Sequence, residues 1–251
     1  MTASETTVSP EITILPLGAT EQHGPHLPLE TDTIIAEGIA ARLAKVLPHP
    51  GRVVFEPAEQ IGYSPEHLDF AGSQSLDYDE AIERWIGIGR RAGERGIRKF
   101  MMLNAHGGNS PLMTIVATEL RVRCGMLAVA TSWTRFGYPP DLVAEEERAI
   151  GIHGGFIETS VMLALRPDLV EMDKARDFPS TQSGFARDFS HLRAYGPHAF
   201  GWKMGDLSQD GVVGNAAAAS AQAGERILDH AVKGLAELVA DVERFELADL
   251  C

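Results

Sequence analysis

Glu21, His23 and Asp32 stand within one short stretch, Thr20-Glu21-Gln22-His23-Gly24-Pro25-His26-Leu27-Pro28-Leu29-Glu30-Thr31-Asp32, which mixes carboxylates and imidazoles with glycine and two prolines. Such a stretch makes a poor core and a good rigid loop, and its residue types are those that ligate metal ions. In an extended segment, residues two apart point to the same side, so Glu21 and His23 would reach one ion or a pair of ions together. Asp32 precedes a helical pattern, where a carboxylate either bridges metals or caps the helix. His106, followed by Gly107 and Gly108, and Glu158, at the start of another helical run, add an imidazole and a carboxylate from distant loops. Taken singly, His106 reads as an ordinary polar residue and Glu158 as an acid that complements a helix dipole. Together, two imidazoles and three carboxylates match the mixed N/O donor set of zinc, manganese or iron(II).

These loops need strands to hold them. Ile12, Ile14, Leu15 and Leu17 are too densely apolar for a half-exposed strand and predict one covered on both faces. Ile35, Ile39, Leu43 and Val46 predict a helix over 33–47 that Pro48 and Pro50 stop. Further strands are expected over 52–55, 97–104 and 126–130, and helices over about 78–93 and 111–123, with Gly125 as a stop. The order strand, polar loop, helix predicts an α/β fold with a mostly parallel central sheet. Ligands in such sheets bind at the carboxyl ends of the strands, which puts the loops after Leu17, Phe55, Leu103 and Ala130 on one rim.

Beyond Pro140 the alternation loosens. Residues 141–149 read as an acidic helix with a solvated face, and 161–165 as an apolar helix ended by Pro167. Residues 171–210 read as long covering loops, and 215–245 as a terminal helix that includes the Ala216–Ala219 run. The chain divides into a flexible arm, 1–10, and a single domain, 11–251, and its 44% apolar residues suffice for a sizeable core.

The formal net charge of -13 argues against a nucleic-acid partner, whose binding is largely electrostatic. No apolar run reaches a membrane-spanning length and the start lacks a charged, then apolar, leader, so no membrane partner is expected and the expected location is cytoplasmic. Cys124 and Cys251 offer neither a disulfide framework nor metal-ligand spacing.

The run from Leu15 to Leu29 with Thr31-Asp32 resembles the signature of the creatininase family. The resemblance continues through Gly62, Ser64, Glu66-His67 and Phe70-Ala71-Gly72-Ser73. It then takes in Asn104-Ala105-His106-Gly107-Gly108-Asn109, His153-Gly154-Gly155-Phe156-Ile157-Glu158-Thr159-Ser160 and Gly211-Val212-Val213-Gly214. It implies a three-layer α/β/α domain with two divalent metal ions per chain, zinc first and manganese or iron as alternatives. It also implies a homo-oligomer, often a hexamer, that hydrolyses non-peptide or unusual amide C–N bonds. Carried over to these positions, Glu21, His23, Asp32, His106 and Glu158 would be the metal ligands, with Asp32 as bridge.

Two cations sharing a water generate hydroxide near neutral pH, and the leaving nitrogen then needs a proton. His153 is the first candidate to supply it, with Glu66 and His67 as others; His26 reads as structural. Creatinine-hydrolysing members carry a carboxylate two residues after the histidine matching His106, where this chain has Gly108, and no tryptophan shortly precedes His153. Substrate contacts are expected instead from Trp133, Tyr63 and Ser64. The reading is a metal-dependent amidohydrolase acting on a small cyclic or substituted amide. Within the same family the alternatives are a formamide hydrolase of pterin or flavin-like precursor pathways and a peptidase that trims a peptide-derived redox cofactor. Outside enzymes, the alternatives are a non-catalytic small-molecule binding module and a domain with a single structural metal.

Overall fold

The computed structural model describes residues 9–250. The arm expected at 1–10 lies almost wholly outside the described residues, as does Cys251, while Ser9 and Pro10 are exposed. Four strands, β1 (Ile12–Leu17), β2 (Val53–Phe55), β3 (Lys99–Asn104) and β4 (Leu127–Ser132), form a parallel sheet in the order β2-β1-β3-β4. The helices are α1 (Thr31–Val46), α2 (Tyr78–Glu94), α3 (Ser110–Cys124), α4 (Glu145–Ile150), α5 (Phe156–Leu165), α6 (Gln182–Asp188), α7 (Met204–Leu207) and α8 (Ala221–Arg244). A two-residue strand β5 (Asp177–Phe178) pairs antiparallel with β6 (Gly214–Asn215). Among the described residues no helix is long and apolar enough to cross a membrane.

The alternation of side chains along β1 and β3 divides the core in two. Ile12, Ile14, Met101 and Leu103 face α1, α5 and α8 through Ile35, Ile39, Val161, Ile227 and Leu235. Leu15, Leu17, Phe100 and Met102 face α2 and α3 through Trp85, Ile88, Met113 and Val116. The register, with Ile14 opposite Met101 and Leu15 opposite Met102, keeps like-facing residues in rows, so each sheet face presents a continuous apolar surface. Helices therefore cover both faces, as the dense apolar β1 predicted, and the result is the three-layer α/β/α arrangement that the family resemblance implied.

The connections leaving β1 and β3 run in opposite directions, the first to β2 and the second to β4. A crevice opens where they diverge, beyond the carboxyl ends of these two strands. The loops that carry Glu21, His23 and His106 start there.

Several boundaries differ from the sequence reading for identifiable reasons. Helix α1 begins at Thr31 because Thr31 closes a turn onto the Pro28 carbonyl with both its N–H and its hydroxyl, so Asp32 sits inside the first turn and not at the cap. Strand β4 continues to Ser132, since Thr131 and Ser132 still pair with Leu103 and Asn104. The Ala216–Ala219 run is not part of the terminal helix. Residues 216–218 form a separate 3-10 turn, and Ser220 starts α8 by accepting the Ala223 N–H. The acidic segment shortens to α4, and its charge is not all solvated: Glu147 turns inward.

Helix α5, which carries Glu158, lies against α8 at close range. A Cβ on Gly224 would stand 1.9 Å from the Ser160 carbonyl oxygen. Gly224→Ala is therefore expected to destabilise the protein by about 1–3 kcal/mol, the usual cost of overpacking, read as a lower urea midpoint; an unchanged midpoint would contradict this packing.

Candidate metal centre

Five side chains meet in the crevice. Glu21 and His23 come from the loop after β1, Asp32 from the first turn of α1, His106 from the loop after β3 and Glu158 from the first turn of α5. Three groups have donor atoms within 4.8 Å of one another: Glu21, Asp32 and His106; His23, Asp32 and Glu158; and Glu21, His23 and His153. Asp32 belongs to the first two. Its Oδ1 lies 3.3 Å from His23 Nε2 and its Oδ2 lies 3.3 Å from His106 Nδ1, so the two carboxylate oxygens face opposite imidazoles. Glu21 Oε1 is 3.2 Å from His106 Nδ1, and Glu158 Oε2 is 3.9 Å from His23 Nε2.

The second nitrogen of each histidine is held by a backbone carbonyl, which fixes the tautomer. His23 Nδ1–H donates to Glu21 O at 3.0 Å and His106 Nε2–H to Tyr63 O at 3.0 Å. The opposite nitrogen of each ring is thereby turned toward the acids, where a neutral ring presents its lone pair, as in histidines that ligate metals. His153 Nε2–H donates to Gln22 O at 2.7 Å, and His153 Nδ1 lies 3.6 Å from Glu21 Oε1. Ser64 donates its hydroxyl to Glu21 Oε2.

Burying three carboxylates is costly unless positive charge accompanies them. Glu21 and Asp32 are fully buried, which opposes ionisation, yet the surrounding imidazoles hold both below their ordinary pKa. Burial likewise opposes protonation of His23 and His106. The carboxylates prevail there, raising His23 to about 9 and His106 well above its usual value. Burial pushes the pKa of Glu158 up to about 7. Glu21 Oε1, His23 Nε2 and Asp32 Oδ2 are buried without a hydrogen-bond partner. Unpartnered acceptors at the centre of an acid-rich cluster fit divalent cations, and the carboxylate and imidazole donors suit zinc, manganese or iron.

His153 and His67 are different. Burial and neighbouring imidazoles push His153 well below its usual pKa, and burial brings His67 to about 4. His153 stacks on His23 and lies against His67, with ring centroids 4.2 Å apart in each case. Glu66 approaches His106 Nε2 to 3.8 Å, and burial raises its pKa. Gly108 explains why that approach is open. A Cβ there would stand 2.5 Å from His106 Nε2 and 2.7 Å from Glu66 Oε1, so this arrangement has no room for a side chain at 108.

The residues expected to touch substrate separate into two groups. Trp133 lines a cavity of about 540 Å3 beside the centre, together with His106, Glu158, Tyr138, Arg135 and Arg148. Ser64 is buried against Glu21, and the Tyr63 side chain packs on the α2–α3 core while its carbonyl orients His106. His26 is structural in its surroundings: it is buried, stacks on Phe178, and bonds Thr159 Oγ1 at 2.8 Å.

Asn109 and Gln22 lie within the stretches that carry the family resemblance but were given no role there, and Tyr138 lies outside them. Asn109 joins three segments by accepting the Tyr63 N–H and donating to Gly18 O and Asn104 Oδ1. Gln22 donates to Gly211 O and accepts the Gly24 N–H, tying the first loop to the Gly211–Gly214 segment. Tyr138 stands in the cavity wall, its phenol pushed to a higher pKa by burial and by Glu158.

Residues 2–239 match the Creatininase family, described as creatinine amidohydrolase. The chain belongs to that family. It is 31% identical over 228 residues to the mycofactocin precursor peptide peptidase of Mycolicibacterium smegmatis, covering 90% of this chain and 83% of the relative. It is 28% identical to the creatinine amidohydrolase of Pseudomonas putida, covering 92% and 89%. Among solved structures, a candidate creatinine amidohydrolase of Bacteroides fragilis superposes with a TM-score of 0.80 at 27% identity, covering 96% of this chain and 92% of that one. A manganese creatininase superposes with a TM-score of 0.72 at 27% identity, covering 92% and 90%.

The burial of neutral His26 has a pH signature. Its pKa falls from 6.5 to about 4, first through burial, so the folded state binds fewer protons than the unfolded state between these values. This contribution to stability is complete above about pH 6.5 and is lost as the pH falls toward about 4. Urea titrations in chelator should show that loss, and His26→Asn should flatten the slope; an identical slope in the variant would contradict the assignment.

Proposed function

We propose that the chain is a metal-dependent amidohydrolase that cleaves a C–N bond of a small cyclic or substituted amide. In this reading two divalent ions are held by Glu21, His23, Asp32, His106 and Glu158, with Asp32 shared. The observation that carries it is the pair of Asp32 oxygens, each facing a different imidazole within a different donor group. When bound, such ions acidify a water molecule and polarise the carbonyl under attack. Zinc is the first expectation, and the manganese form of a structural relative supports manganese as the alternative.

The protein's own groups do the rest. Backbone carbonyls of Glu21, Tyr63 and Gln22 hold three imidazoles in single tautomers, so little reorganisation accompanies the reaction. Neutral His153, held at Nε2, keeps the lone pair of its Nδ1 free as the atom at which a proton would be taken up and returned. Glu66 and His67, which flank His106 and Glu21, are the other groups placed to move one. Trp133 supplies an apolar wall for the body of the substrate. A homo-oligomer, as the family resemblance implies, and a cytoplasmic location complete the reading.

A peptidase reading stands second, favoured by the identity to mycofactocin precursor peptide peptidases. Assays of creatinine ring opening, formate release from formamides and cleavage of a short C-terminal peptide separate the branches. The metal-loaded enzyme should turn over at least one of these classes, and failure on all of them, extended to lactams and ureas, would contradict the hydrolase reading.

Loaded protein should hold about two transition-metal ions per chain, the stoichiometry of a two-metal site. His23→Ala and His106→Ala should each lower metal content and hydrolysis; full metal retention in both would overturn the ligand assignment. His153→Gln should lower kcat by roughly 10²–10⁴, the range for a general acid or base, while leaving metal content unchanged.

A further inference from the structure

The cavity beside the metal centre is unusual in its charge. The chain carries 35 acidic and 22 basic residues, yet among the described residues Glu158 is the one carboxylate in this cavity's lining, against the two guanidiniums of Arg135 and Arg148. Glu158 is also committed to the metal centre in the reading above. Neither arginine has a carboxylate within 4.0 Å among the described residues. Arg135 gives one N–H to the Ala130 carbonyl at 2.7 Å, and Arg148 makes no side-chain hydrogen bond among the described residues. Arg148 and Tyr138 line the same cavity as Glu158.

The backbone that carries Arg148 is held in place, while its side chain, like that of Arg135, is exposed at the cavity rim. Arg148 follows Glu147 in α4, and the Glu147 carboxylate accepts the Phe156 N–H at 2.7 Å and the Asn215 N–H at 2.9 Å. Gly151, Gly155 and Gly214 close around that carboxylate, each so near that a Cβ would stand within 2.5 Å of it. A short helix that its own sequence would hardly hold is thereby pinned to the start of α5 and to β6, with the next residue turned to the cavity.

From these observations we infer that Arg148, assisted by Arg135, forms a subsite for an anionic group on the substrate, a carboxylate or a phosphate. The substrate class is then an amide that carries an acid some distance from the scissile bond. This rests on the metal-dependent hydrolase reading, in which two divalent ions outweigh the three ligand carboxylates, so that an anion entering the cavity meets no net repulsion. The guanidinium fork matches either oxyanion in bidentate fashion, whereas a neutral substrate would gain nothing from it.

Hydroxamates test the subsite without requiring turnover, because they ligate metal pairs directly. Binding to the manganese-loaded chain is measured by calorimetry for dicarboxylic monohydroxamates from succinate to adipate, for the phosphonate of each length, and for each uncharged terminal amide. At the fitting length an anionic member should bind about tenfold or more tighter than its amide, the increment expected of a charge-assisted hydrogen bond. Arg148→Met should remove that advantage and leave the amide's affinity as it was, and Arg148→Lys should restore part of it. A preference between the carboxylate and phosphonate series names the anion. Equal binding of acid and amide at every length, or an advantage that survives in the Arg148→Met, Arg135→Met double variant, would overturn the subsite while leaving the metal reading intact. Failure of every hydroxamate to bind, the amides included, would overturn the metal centre and the subsite with it.

Discussion

The arrangement depends on one electrostatic constraint: three carboxylates, Glu21, Asp32 and Glu158, converge in a crevice where two are fully buried. Without positive charge such a cluster would cost several kcal/mol per ion. Among the protein's own groups the compensation comes from imidazoles: the carboxylates drive His23 and His106 toward protonation, while burial first, and neighbouring rings after it, drive His153 and His67 away from it. In the proposed reading divalent cations would meet the same need and leave the imidazoles to act as ligands. Asp32 lies at the middle of this balance, and its place inside the first turn of α1 aims one oxygen at each side.

The scaffold meets the constraint with rigid parts. The loops bearing Glu21, His23 and His106 leave β1 and β3 at the point where the chain's connections diverge. Asn109 then bonds to the β1 end, the Tyr63 loop and Asn104 at once. The far wall is held by another device, the Glu147 carboxylate inside a ring of glycines, which fixes the start of α5 and hence Glu158. Five side chains from four separate segments therefore keep their spacing.

Much of this was legible in the residues. The apolar density of β1 gave its burial on both faces, and the polar clusters after β1 and β3 marked Glu21, His23 and His106, which the crevice brings together with Asp32 and Glu158. What could not be read was the direction of side chains fixed by tertiary contacts. Ser64 looked like a substrate contact, yet its hydroxyl turns to Glu21; Tyr63 acts through its carbonyl while its ring packs in the core. Asp32 stood where a helix cap would, because the Thr31–Pro28 turn that starts α1 early leaves no mark in apolar spacing. Glu147 was hidden within a run of acids, since nothing local separates a buried carboxylate from its solvated neighbours when the donors come from residues 156 and 215.

The central claim is that Asp32 joins two ions in one site. Electron paramagnetic resonance of the chain fully loaded with manganese(II) tests it directly, because ions bridged by a carboxylate are exchange-coupled and isolated ions are not. The account predicts the spectrum of a coupled pair, replaced by that of uncoupled ions in Asp32→Asn. The hyperfine pattern of isolated manganese in the fully loaded, unmodified protein would contradict it.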